Sequence, residues 1–135
     1  MTYVNKRNDS EIQRVREIAE SGRDGPVLML NLNYYSAAAD FPDGDLYKRY
    51  MAVLAKFLPV VGAKILWRHP VYGQVTGEQK LHEILAAWYP THQAFLDLPN
   101  APGAEENFSL RAIAVEHAVI HRLSGEVYPF VPTSA

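Results

Sequence analysis

Apolar positions along this chain switch between two periods, and the switches mark out the elements. Val27-Leu28-Met29-Leu30-Asn31-Leu32 is apolar at nearly every position over the length of a strand, so neither face of that strand is meant for water. Leu46, Tyr47, Tyr50, Met51, Leu54, Phe57, Leu58 and Val61 then recur at helical spacing, with Lys48, Arg49 and Lys56 on the other side. This predicts an amphipathic helix over 45–61, with an irregular last turn at Pro59 and a left-handed stop at Gly62. Strand-like runs return at Lys64-Ile65-Leu66-Trp67-Arg68, continuing past Pro70 to Val75, and at Glu83-Ile84-Leu85-Ala86-Ala87-Trp88-Tyr89. Gly77-Glu78-Gln79-Lys80 reads as the turn between them. Proline cannot donate to a ladder, so the Pro70 strand is placed at a sheet edge or given a bulge there. Pro90-Thr91 opens a short helix with Phe95 and Leu98 inward, and 99–103 interrupts it. A second helical segment runs to about Val115 with Phe108, Ala112 and Val115 on one side, and a last strand lies near 117–123.

The order is β-α-β-β-α-β, the split βαβ arrangement. In front of it, Ser10-Glu11-Ile12-Gln13 has the form of a capping box, and Ile12, Val15, Ile18 and Ala19 form one stripe, predicting an extra helix over 10–22. The chain reads as a single domain over 1–135, with its core at about 26–125 and an apolar tail at 125–135 carrying Tyr128 and Phe130. One layer of helices covers only one face of a small sheet. The most economical cover for the other face is a second copy of the chain, which predicts a homodimer packed sheet to sheet, with room for higher assembly through the N-terminal helix or the tail.

Composition narrows the partners. The 135 residues carry a formal net charge of −2, without the basic excess of a nucleic-acid surface, so no nucleic-acid partner is expected. No apolar run is long enough to span a membrane, and no secretory h-region follows Met1, so the expected location is cytoplasmic. There is no cysteine, which removes disulfides, thiolate chemistry and cysteine-bound metals.

These segments resemble an uncharacterised family of the dimeric α+β barrel (ferredoxin-like) superfamily. The likeness is carried over about 26–125 by Val27–Leu32, Tyr47-Lys48-Arg49-Tyr50, Val61-Gly62-Ala63, Leu66-Trp67-Arg68, Trp88-Tyr89-Pro90-Thr91, Phe95 and Leu110-Arg111-Ala112. The resemblance implies an α+β fold: a ferredoxin-like sandwich with a four-stranded antiparallel sheet, strands one and three central, whose sheet packs on a partner's sheet to close a barrel. Many such relatives carry a glutamate at the end of strand three, where this chain has Trp88, so no acid/base role transfers to that position. Haem-degrading monooxygenases of this fold use an asparagine on strand one, a tryptophan late in strand three and a histidine on the next helix. Asn31 fits the first, and Trp88 or Tyr89 roughly fits the second. The third place holds Ala104-Glu105-Glu106-Asn107, so no haem is expected.

The remaining chemistry is sparse. No phosphate-cradling glycine loop and no nucleophile elbow is present. His117 and His121 have the spacing of a helical zinc pair, but on a strand they stand about 13 Å apart, so no metal is expected. His69 and His92 read as loop or surface residues. Asn31 is an amide inside the most apolar strand: it either bonds a neighbouring loop or a group across the dimer, or faces a cavity between sheet and helices. Arg111, among Leu110, Ala112 and Ile113, is either half of an ion pair or a clamp for a carboxylate ligand. Tyr34, Tyr47, Tyr50, Trp67, Trp88 and Tyr89 are either core or the lining of an aromatic pocket, and Arg68 reads as a rim or interface residue. The expectation is a homodimer that binds a small apolar or aromatic acid through Asn31, Tyr50, Trp67, Trp88 and Arg111, with no cofactor. Its alternatives are a cofactor-independent monooxygenase or isomerase, and a purely structural dimer with no ligand. The residues named do not by themselves separate a binding protein from an enzyme.

Overall fold

A computed structural model describes residues 6–126. Its elements are α1 (Asp9–Glu20), β1 (Val27–Tyr35), α2 (Asp45–Phe57), β2 (Lys64–Pro70), β3 (Glu83–Tyr89), α3 (His92–Asp97), α4 (Ala104–Ala114) and β4 (Val115–Ser124), with single 3-10 turns at Ala37–Ala39, Leu58–Val61 and Leu98–Asn100. The four strands form one antiparallel sheet in the order β2-β3-β1-β4. The two most apolar strands are therefore central and the proline-bearing strand is an edge, as the sequence pattern requires. This is the ferredoxin-like α+β arrangement with an added N-terminal helix.

Alternation along the strands divides the sheet into two unlike faces. Val27, Met29, Asn33 and Tyr35 of β1 are buried beneath the helices, and register places Tyr89, Ala87, Leu85 and Glu83 of β3 beside them. Tyr47, Tyr50, Met51, Leu54 and Phe57 of α2, with Leu110 and Ala114 of α4, close this core from above. The other face carries Leu28, Leu30, Leu32 and Tyr34, flanked by Ile84, Ala86 and Trp88 on β3 and by His117, Val119, His121 and Leu123 on β4. No described element packs over it, and Trp67 and Leu123 are each 42% exposed there.

Several local expectations change. The first helix is capped from Asn8 rather than Ser10, and Asn8 makes no side-chain cap bond, so the capping box does not form. Strand β2 ends at Pro70, and 71–82 is loop, with Tyr72 and Val75 almost fully exposed. The irregularity in β2 lies between Ile65 and Trp67 rather than at Pro70, since the edge position already spares the ladder the missing N–H. Helix α4 turns Ala104, Asn107, Leu110 and Ala114 inward, leaving Phe108 40% exposed and Ala112 outside. Of the predicted stripe of Phe108, Ala112 and Val115, only Val115 is buried, and the inward positions of the helix go instead to small and amide side chains. Gly62 ends the 3-10 turn after α2 at φ 84°, as its position predicts. Gly44 serves close approach: a Cβ there would stand 2.2 Å from the Ala39 carbonyl oxygen, and this tight entry sets the start of α2 and hence Tyr47. Tyr128 and Phe130 of the tail lie outside the described residues.

Candidate functional site

Between the helix-side face of the sheet and the helices lies a cleft of about 1230 Å³. Its floor is Met29, Asn31 and Asn33 of β1 with Leu85 and Ala87 of β3; its walls include Tyr50, Leu54 and Phe57 of α2 and Asn107, Phe108 and Arg111 of α4. Helix α1 forms the mouth through Ser10, Glu11, Ile12 and Val15, with Lys6, Arg7 and Arg16 around it. An ion pair of Glu11 with Arg122 of β4 ties the helix across the opening.

Of the site residues expected from the sequence, the structure brings Asn31, Tyr50 and Arg111 together in this cleft. Asn31 donates to the Met29 carbonyl oxygen at 3.1 Å. Burial raises the Tyr50 pKa, and the neighbouring Arg111 guanidinium partly offsets the rise. None of the ion pairs among the described residues involves Arg111. Tyr89 lines the same space, and burial raises its pKa as well. Trp67 and Trp88 stand on the opposite face of the sheet and do not meet the other three. The Trp88 indole donates to the Gly125 carbonyl oxygen at 2.9 Å, and Lys64 lies over its ring. Tyr34 is also on that face, stacked between His82 and His117 at 4.4 and 4.9 Å.

A second group escaped the sequence reading. Glu83, only 2% exposed, accepts from the Tyr35 hydroxyl on one oxygen and from the Tyr47 hydroxyl on the other, both at 2.6 Å. Arg68 donates to the Tyr47 oxygen at 2.6 Å and approaches Glu83 at 3.4 Å, so it is a member of this cluster as well as a rim residue. Burial first, and the bonds to Glu83 second, push both phenols well above the ordinary tyrosine value. Asn33 donates to the Tyr35 oxygen at 3.2 Å and joins the cluster to the cleft. The Asn33 and Asn107 Oδ1 atoms are buried and have no hydrogen-bond partner among the described residues. Two signals could have pointed here. Asn31 and Asn33 alternate onto one face of a strand, and Asn107 precedes Arg111 by one helical turn.

His92 is buried at the start of α3 rather than on the surface. Asp24 accepts the backbone N–H groups of His92 and Gln93 at 2.7 and 3.0 Å and lies 3.0 Å from His92 Nδ1. Burial raises the Asp24 pKa, but these bonds outweigh it and the net shift is downward. The pair fastens the α1–β1 connection to α3. No group of three or more potential metal-binding side chains occurs among the described residues.

Comparison with known proteins adds fold likeness. No family model and no curated protein matches the chain. A protein of unknown function from Rhodopseudomonas palustris has a similar structure, with a TM-score of 0.71 at 23% identity over 92% of this chain and 97% of that one. Its methylated form gives the same TM-score at 24% identity, over 93% and 96% of the two chains. A dabb family protein with a ferredoxin-like fold from Mesorhizobium loti follows at a TM-score of 0.53 and 13% identity, over 74% of this chain and 96% of that one. These likenesses agree with the uncharacterised ferredoxin-like resemblance read from the sequence. No helix among the described residues is long and apolar enough to cross a membrane.

Proposed function

We propose that the chain is a homodimeric binding protein for a small apolar or aromatic carboxylic acid held in the cleft between sheet and helices. The observation that carries this reading is Arg111. Its guanidinium lines a mainly apolar cleft beside the Tyr50 hydroxyl and takes part in no ion pair among the described residues. A carboxylate is the natural bidentate partner for such a group, and Lys6, Arg7 and Arg16 at the mouth favour entry of an anion. Binding is favoured over proton-transfer chemistry by the state of the carboxylates. Glu83 has both oxygens committed to tyrosines, and Glu11 at the mouth is engaged by Arg122.

The second copy is placed on the open sheet face, where Leu28, Leu30, Leu32, Ile84, Trp67, Trp88, Val119 and Leu123 form an apolar field that a monomer would leave to water. Sheet-to-sheet pairing should bury more than roughly 1,200 Å² in total.

A thermal-shift screen of aromatic and short aliphatic acids, run on the wild type and on Arg111→Ala, tests the binding reading. Acids should raise the melting temperature of the wild type and lose that effect in the variant, whose ligand-free melting should change little. If Arg111→Ala mainly lowers ligand-free stability and acids shift neither protein, the residue is structural and the proposal fails. Stoichiometric zinc or iron in the purified protein would also overturn it.

A further inference from the structure

We infer that the ligand of the cleft is an acid with a long apolar body, an alkyl chain or fused rings rather than a single ring. The inference rests on the acid-binding reading above and narrows its ligand class. Its basis is the run of the cleft along the sheet. Met29, Asn31 and Asn33 of β1 all line it, and so do their register partners Arg122, Ile120 and Ala118 on β4. From Met29 to Asn33 a strand advances about 13 Å. An extended alkyl chain gains about 1.25 Å per carbon, so about ten carbons lie along that floor. Volume agrees with length. A cavity of about 150 Å³ holds benzene, so a single ring leaves most of a cleft of about 1230 Å³ to water.

Carbon is what such a body would cover. Ile120 pairs with Asn31 on the helix-covered face of the sheet, yet it stands 43% exposed and lines the cleft. Phe108, on the α4 turn before Arg111, lines it as well and is 40% exposed. Leu54 and Phe57 of α2 and Phe95 of α3 continue the apolar lining. The amides along the way are turned to the protein. The Asn33 and Asn107 side-chain oxygens are closed off from the cleft, and Asn31 donates to the Met29 carbonyl oxygen. Arg111 and Tyr50 therefore select the acid group, and affinity grows with how much of Ile120, Phe108 and their neighbours the rest of the ligand removes from water.

Isothermal titration of the full chain with hexanoate, octanoate and decanoate below their micellar concentrations, with phenylacetate and 2-naphthylacetate, and with decanol tests this. A fully buried methylene is worth about fourfold in affinity, so decanoate should bind at least about twentyfold more tightly than hexanoate even where burial is partial. Naphthylacetate should exceed phenylacetate by at least about tenfold. Ile120→Asp, at a position already open to water, should flatten the dependence on length, while Leu30→Asp on the opposite sheet face should leave it intact. If hexanoate and decanoate bind alike, or if Leu30→Asp removes the length dependence and Ile120→Asp does not, the inference is wrong and the acid-binding reading stands. If no acid binds, or if decanol matches decanoate and Arg111→Ala changes neither, the reading itself falls and the inference with it.

Discussion

At the scale of single residues, Glu83 decides the most. It opens β3 where the sequence shows only a charged residue before an apolar run, and it becomes the shared acceptor of two buried phenols. Glu83→Ala leaves both hydroxyls without that acceptor and should cost about 2–4 kcal/mol, against about 1–2 for Tyr35→Phe or Tyr47→Phe. Urea unfolding of the three variants measures this, and equal losses would show that the cluster is not shared. His82 adds a pH term. Its Nδ1 accepts the Tyr35 backbone N–H at 2.9 Å, and its pKa is lowered, first by burial and then by His117, with Glu116 opposing. The unfolded chain therefore takes up the proton more readily than the folded one. The stability His82 contributes is present above its ordinary value of 6.5 and is lost as pH falls below it. Melting temperatures should drop from pH 7.5 to 5.5 in the wild type, and the slope should flatten in His82→Asn.

At the scale of elements, legibility followed the strength of the apolar period. Strand β3 coincides with its predicted run, and α2 with its stripe up to Pro59, because burial sets both patterns. The end of β2 and the inward face of α4 were not legible. Val71 to Val75 looks like strand, but beyond Pro70 the pairing goes no further than the Val71 N–H, which donates to the His82 carbonyl oxygen at 2.8 Å, and Asn107 is buried for reasons a hydropathy pattern does not encode. The cleft was half legible: Arg111, Tyr50 and Asn31 announce themselves as polar groups in apolar company, while the orphaned oxygens depend on a hydrogen-bond chain that only folding assembles. The tie of α1 to the sheet is an element-scale prediction. The Glu11 pKa is lowered chiefly by its bond to Arg122, against burial. Its contribution is present above 4.5 and disappears as pH falls through the lowered folded value. Amide exchange in α1, corrected for intrinsic rates, should quicken at pH 4 relative to pH 6, and Glu11→Gln should show the faster exchange already at pH 6. Unchanged α1 protection would mean that Val15 packing alone holds the helix.

At the scale of the whole molecule, β1 is shared between two tasks. One of its faces floors the cleft, and the other belongs to the open apolar field. Leu30 and Ile84 are placed on that open face by register, rather than within the helix-covered core. Leu30→Asp should therefore leave a folded monomer at concentrations where the wild type sediments as a dimer, because a carboxylate can reach water from one sheet but not from between two. Sedimentation of both proteins at micromolar concentration checks this, and a monomeric wild type would remove the dimer from the proposal. The placement of the two tryptophans carries a further consequence. Trp67 and Trp88 share the face turned away from the cleft, so in the proposed dimer the chain's strongest natural fluorophores would watch association and be blind to occupancy. If the proposed pairing holds, emission should shift to the blue on concentration and stay still when an acid enters, so that the two tryptophans would serve as a built-in optical gauge of pairing.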